Sequence, residues 1–194
     1  MSAVLEALAT KPGQFSHKLW TRKEYRKLID DGHLEDGKVE LVNGKIWNKM
    51  GHGRRHTAVV MWLIDALGLI FGVKHLQCQS SLAIGEYGDP EPDVAVLAQN
   101  VAQYIDEELV INEMLLVAEV SNSTLRADLT DKVTQYGSAG IPEYWVVDIP
   151  NRLLHVFREP TADGYASETL LTTDNEVRPL AAPGSVVRVA ELLP

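Results

Sequence analysis

The sequence predicts a mixed α/β (α+β) fold, in which short apolar strands alternate with amphipathic helices around a central sheet. Three observations carry this. An Asn-Gly pair at 43–44 sits between two short strand-like runs. Val94–Leu97 and Leu115–Val120 are continuous β-branched and aliphatic runs of the kind that fill buried central strands. Around them, helices are expected at about 21–31, 56–71 and 127–139, from a capping box, from apolar positions at helical spacing and from a Gly-Ile-Pro stop respectively.

Residues 1–15 show no periodicity and read as a flexible N-terminal arm, leaving 16–194 as a single domain. Thr21-Arg-Lys-Glu24 is a capping box, in which the Thr hydroxyl and the Glu carboxylate satisfy free amides at a helix start. That helix runs to about Asp31, where Asp-Gly ends it. Val39–Val42 and Lys45–Asn48 form a hairpin, because Asn43-Gly44 tolerates the two positive φ angles of a type I′ turn. His56 to Phe71 places Val59, Val60, Leu63, Leu67 and Ile70 on a helical face, with Gly72 as its stop. Leu76–Ile84 reads as a strand, followed by the turn-rich Gly85-Glu-Tyr-Gly-Asp-Pro. Ala127 to Ala139 reads as one helix ended by Gly140-Ile-Pro142. Tyr144–Val147 and Leu153–Phe157 make a strand pair, and Thr169–Leu171 and Val186–Val189 are short strands in the tail.

Composition narrows the function. At 194 residues the chain is long enough for one domain with a sizeable core. A single cysteine, Cys78, excludes an internal disulfide and a cysteine zinc cage, and fits a reducing cytoplasm. Met1 to Gln14 lacks the basic start and apolar centre of a signal peptide. No apolar run approaches the roughly 20 residues of a spanning helix, so no membrane role is expected. The net charge of -9 argues against a protein that coats DNA nonspecifically. The charge is uneven, however: residues 16–55 carry +4 and the remainder -13. A basic face near the hairpin and a solvated helix face both account for Lys18 to Lys27.

Two acids stand out. Glu-Pro-Asp at 91–93 leads directly into an apolar strand, and Glu119 lies inside Leu115-Leu-Val-Ala-Glu-Val120. A carboxylate in an apolar run is costly unless a cation, a metal or strong hydrogen bonds meet it. If the two strands are neighbours, Asp93 and Glu119 converge, and hard oxygen ligands with waters and a phosphate suit Mg²⁺. The competing reading makes Asp93 a turn cap and pairs Glu119 with an arginine. Asp128, Lys132 and Tyr136 follow at four-residue spacing, and a lysine there can stabilise charge on a phosphorane. An ordinary Asp128–Lys132 surface pair gives the same spacing.

In this order the chain also carries Glu40-Leu-Val-Asn-Gly44, His56, Pro92-Asp93-Val, Leu116-Val-Ala-Glu119-Val-Ser, Asp128-x-x-x-Lys132-x-x-x-Tyr136 and Gly140-Ile-Pro-Glu-Tyr-Trp-Val-Val-Asp148. The ordered set resembles the Uma-type restriction endonuclease family of the PD-(D/E)xK nuclease superfamily, over about residues 16–193. The resemblance implies a restriction-endonuclease-like central mixed β-sheet flanked by helices. It implies a magnesium-dependent endonuclease, with manganese as an alternative ion and DNA as substrate. Asp93 and Glu119 become metal ligands, Glu40 an additional acid at the site, and the Val120 carbonyl a further ligand. The superfamily lysine normally follows the second acid by two residues. Here that position is Ser121, and Lys132 on the helix takes its place. Superfamily habit also implies a homodimer.

Two other functions fit the same residues. Ser121 would mark a nucleic-acid- or partner-binding module with lost or reduced activity, and the acidic balance would suit a metal-dependent hydrolase of small phosphate esters or nucleotides. His56 is either a phosphate contact, a support for Glu40, or a helix-start histidine without a catalytic role. His52 with Arg54-Arg55 would grip phosphates or simply face solvent. Tyr144-Trp145, Trp20, Trp47 and Trp62 read as core rather than as stacking platforms.

Overall fold

The computed structural model describes residues 17–49, 51, 53–105 and 111–194, so the expected N-terminal arm and His52 lie outside the described residues. Helix α1 (Arg22–Asp30) starts at the Thr21 N-cap with both capping-box hydrogen bonds in place. Strands β1 (Val39–Val42) and β2 (Lys45–Asn48) pair antiparallel, with Asn43 and Gly44 both at positive φ, as a type I′ turn requires. Helix α2 (Arg54–Phe71) begins two residues before the expected His56 and ends at Gly72.

A six-stranded sheet follows in the order β3-β4-β5-β6-β7-β8. Its members are β3 (Leu76–Gln77), β4 (Val94–Leu97), β5 (Met114–Ser121), β6 (Glu143–Asp148), β7 (Leu153–Thr161) and β8 (Gly164–Thr172). The sheet is mixed: β5 and β6 run parallel, and every other neighbouring pair is antiparallel. The parallel step is bridged by two short helices, α3 (Leu125–Asp128) and α4 (Asp131–Ser138). Strands β9 (Glu176–Val177) and β10 (Val187–Arg188) form a separate antiparallel pair. Among the described residues no helix is long and apolar enough to cross a membrane.

Side-chain alternation splits the core. Val94, Val96, Leu116, Ala118, Val120, Trp145 and Val147 face α2, where Val59, Leu63 and Leu67 are fully buried. Ala95, Leu97, Val117, Tyr144 and Val146 face the α3–α4 crossover and pack on Tyr136 and Ile141. Glu119 lies two residues beyond Val117 on β5, so its side chain leaves the sheet on the same, crossover side.

Two expected elements and three side chains expected in the core differ. The run Leu76–Ile84 is a strand only at Leu76–Gln77. Beyond it, Gln79 takes a left-handed φ of 47°, and the amides of Gln79 and Leu82 bond to the carbonyls of Pro92 and Pro90. Prolines accept but cannot donate, so the ladder cannot continue. The expected helix 127–139 is two helices, broken at Thr130, whose hydroxyl bonds back to the Arg126 carbonyl at 2.7 Å. Tyr144 and Trp145 are core as expected, but Trp20 and Trp47 are only half buried and Trp62 is exposed.

Helix α4 and the β7–β8 hairpin approach so closely that Gly137 has no room for a side chain. A Cβ there would lie 2.1 Å from the Gly164 carbonyl oxygen. Gly137→Ala is therefore expected to destabilise the protein by about 3 kcal/mol, near the upper end of ordinary overpacking, because the obstruction is backbone. A lowered urea midpoint at unchanged slope checks it.

Candidate active site

The pairing of β4 with β5 builds the site. Val94 is opposite Ala118, so one step further along the register sets Asp93 beside Glu119 on the same face. Both are buried, as are Glu40, Asp128, Lys132 and His56. All six line one cavity of about 100 Å³ at the end of the sheet, between the β1–β2 hairpin, α3 and the start of α2.

Lys132 is the hub. Its ammonium lies 2.8 Å from Glu119 Oε1, 3.3 Å from Glu40 Oε1 and 3.8 Å from Asp128 Oδ1. Tyr136 OH also donates to Glu119 Oε1 at 2.8 Å. The expected helical face therefore exists in effect, although the helix breaks between Asp128 and Lys132. Glu119 pairs with a lysine, not with an arginine, and the pair is buried rather than on the surface. Asp128 is held by the Thr124 hydroxyl at 2.6 Å. Glu40 accepts the Glu91 amide at 3.2 Å, and Glu91 in turn pairs with Lys49.

Asp93 has a different set of partners. Its Oδ2 accepts the Val120 amide at 2.8 Å and lies 3.1 Å from His56 Nε2, while Gln79 Nε2 donates to Oδ1 at 3.3 Å. His56 thus supports Asp93, where support of Glu40 was one of the expectations. Gln79, Lys49 and Glu91 enter the site unannounced by any spacing. Gln79 and Glu91 lie in the irregular segment 78–93, which periodicity does not describe, and Lys49 directly follows β2. Ser121, at the usual lysine position, is fully buried and contacts Thr124 Oγ1 at 3.4 Å.

The electrostatics follow from crowding. Five carboxylates, Glu40, Glu91, Asp93, Glu119 and Asp128, line a cavity with Lys49, Lys132 and the imidazole of His56. Burial pushes the Glu119 carboxyl up to about 8; Lys132 opposes this, and Asp93, Asp128 and Glu40 reinforce it. Burial works against the Lys132 ammonium, but Glu119, Glu40 and Asp128 outweigh it and raise its pKa. Burial likewise raises Asp93, yet the His56 ring and the Val120 amide hold its carboxyl below the ordinary value. The cluster as a whole therefore holds protons and attracts cations.

Among the described residues no three His, Cys, Asp or Glu side chains form a ready metal cage. The donor chemistry nevertheless suits a hard cation. Glu119 Oε1 takes both of that residue's hydrogen bonds, leaving Oε2 without a donor among the described residues. The negative charge also exceeds what Lys49 and Lys132 neutralise.

A family model described as "Putative restriction endonuclease" matches residues 22–190. The fold is similar to the crystal structure of a putative nuclease belonging to DUF820 from Anabaena variabilis. The TM-score is 0.68 at 16% identity, covering 89% of this chain and 96% of that one. At that identity the likeness speaks for the fold. No curated protein matches the sequence.

Proposed function

The chain belongs to the Uma2 family of putative restriction endonucleases, and from that premise we propose that it is a metal-dependent endonuclease hydrolysing phosphodiester bonds in DNA. The observation that carries this reading is the convergence of Asp93, Glu119 and Glu40 with Lys132 in one cavity.

Asp93, Glu119 and Glu40 would hold magnesium, or manganese in its place. In an extended strand the amide and carbonyl of one residue leave on the same edge, so the Val120 carbonyl joins its amide on the Asp93 side. When bound, such an ion polarises a phosphoryl oxygen and lowers the pKa of a coordinated water. The protein's own groups do the rest. His56 and the Val120 amide fix the Asp93 carboxylate, as outer hydrogen bonds fix metal ligands generally. Tyr136 orients Glu119. Lys132 brings a fixed positive charge to the place where phosphorane charge grows, doing from α4 what Ser121 cannot do from β5. Arg54 and Arg55 are exposed at the start of α2, immediately before His56, where helix amides and guanidinium groups both favour phosphate. Cutting both strands of a duplex takes two such sites, so a homodimer belongs to this reading.

The test is incubation of supercoiled plasmid and of single-stranded DNA and RNA with magnesium, manganese or EDTA. Nicking of DNA that EDTA abolishes supports the reading. Binding without cleavage of any polymer supports the non-catalytic module instead.

A pH dependence follows. With the Glu119 carboxyl pushed up to about 8, its proton must leave before it ligates a cation. Magnesium affinity should therefore fall roughly tenfold for each pH unit below 8 and level off above it. Calorimetric titrations in buffers of different ionisation enthalpy would check this by the proton released on binding.

A further inference from the structure

Trp47 is placed where an aromatic has no structural reason to be. It lies directly across the β1–β2 ladder from Glu40, so the two side chains share a face and both line the cavity. Trp47 is half buried and joins none of the three apolar clusters. Its hairpin neighbour Ile46, by contrast, packs on the Tyr25–Leu41 cluster.

Trp47 also lines two spaces at once, together with Asn48, Ser123, Thr124 and Ala127. On one side is the carboxylate cavity. On the other is a shallow groove of about 600 Å³ between β2 and α3, lined by Trp47, Asn48, Ser123, Thr124, Arg126, Ala127 and Asp131, whose carboxylate is paired with Lys45 at 3.2 Å. That volume lies within the roughly 300–1,000 Å³ of small-ligand sites. Arg126 is exposed, and its guanidinium forms no ion pair among the described residues. The groove thus offers an indole, two hydroxyls, a side-chain amide and an unneutralised arginine beside the carboxylates.

We propose that this groove binds the nucleotide next to the scissile phosphate, with its base stacked on Trp47 and its phosphate on Arg126, and that the protein therefore acts on unpaired or locally opened DNA. The inference rests on the nuclease reading above and specifies its substrate. Base faces are covered within a duplex, so an indole at the cleavage site is useful only to a base that has left the stack. Stacking is sequence-tolerant, because every base presents a π-face.

The experiment compares cleavage of a single-stranded oligonucleotide, the matching duplex and a duplex containing a short gap, with magnesium. Wild type should cut the single strand and the gap faster than the intact duplex. Trp47→Ala should weaken kcat/KM on the single strand by about 5- to 150-fold, the usual range for losing one base stack, with Trp47→Phe close to wild type. An abasic nucleotide stepped along the strand should reproduce that loss at one position in wild type and add nothing to it in Trp47→Ala. The abasic scan needs no variant, so poor folding of Trp47→Ala leaves it intact. Equal cutting of duplex and single strand, or no sensitive abasic position, overturns the proposal while the nuclease reading stands. No cleavage of any polymer overturns both.

Discussion

Glu119→Gln should slow metal-dependent cleavage by about a hundred- to a thousandfold while leaving the fold intact. The amide keeps the size of the carboxylate, and its oxygen still accepts from Lys132 and Tyr136, which both address Oε1 in the native protein. Lys132 also keeps Glu40 at 3.3 Å and Asp128 at 3.8 Å. What disappears is one formal negative charge, at the oxygen that takes no hydrogen bond among the described residues. A bound metal supplies several kcal/mol of transition-state stabilisation. At about 1.4 kcal/mol per tenfold, its loss costs on the order of two to three powers of ten in rate. The pH dependence of magnesium binding should vanish along with it, because the group pushed up to about 8 no longer titrates. Full magnesium-dependent cleavage by this variant would remove Glu119 from the mechanism. Thermal melts within about 1 kcal/mol of wild type would show that the loss is chemical.

The parts of this site that could be read in the sequence are those fixed by local rules. Thr21 and Glu24 cap a helix because their spacing matches its free amides. Asn43-Gly44 closes the hairpin that carries Glu40, and the register follows from the turn. Asp93 and Glu119 stood out because each is an acid at the end of, or within, a run that should be buried. Their convergence required only that β4 and β5 be neighbours, as they are. Two kinds of feature escaped. The first is irregular chain: the proline carbonyls that replace a strand after Gln77, and the break at Thr130, depend on which donors and acceptors are left over, not on period. Gln79 and Glu91 reach the site through such a segment. The second is the facing of single side chains. Trp47 and Trp62 read as core because aromatics usually bury. The β1–β2 register turns Trp47 to the Glu40 side, and Trp62 lies on the solvent side of α2. The partner of His56 belongs to the same kind. The sequence places His56 at a helix start, but only packing of α2 on the sheet brings it to Asp93 and not to Glu40.

Replacing the hub cation should have the largest effect on stability. Lys132→Met leaves Glu40, Glu119 and Asp128 buried around a neutral side chain of similar length. Breaking a buried ion pair from one side typically costs about 3–5 kcal/mol, because the remaining charge is uncompensated. The sign of the pH dependence follows. Without Lys132 to oppose burial, the Glu119 and Asp128 carboxyls rise further, so the folded state binds more protons than the unfolded one. Their contribution is fully present below the unfolded carboxylate range and is lost as pH rises through the folded values. The variant should therefore melt closest to wild type near pH 4 and furthest from it above pH 8. Magnesium separates the two roles of the lysine. An ion held by Asp93, Glu119 and Glu40 neutralises the same cluster, so millimolar magnesium should raise the melting temperature of Lys132→Met more than that of wild type. Cleavage should stay depressed by about a hundredfold in the refolded variant, since the ion replaces the charge but not the group aimed at the phosphorane. Recovery of both fold and cleavage would make Lys132 a structural counter-ion only, and no magnesium effect on either melt would leave the carboxylates without a metal.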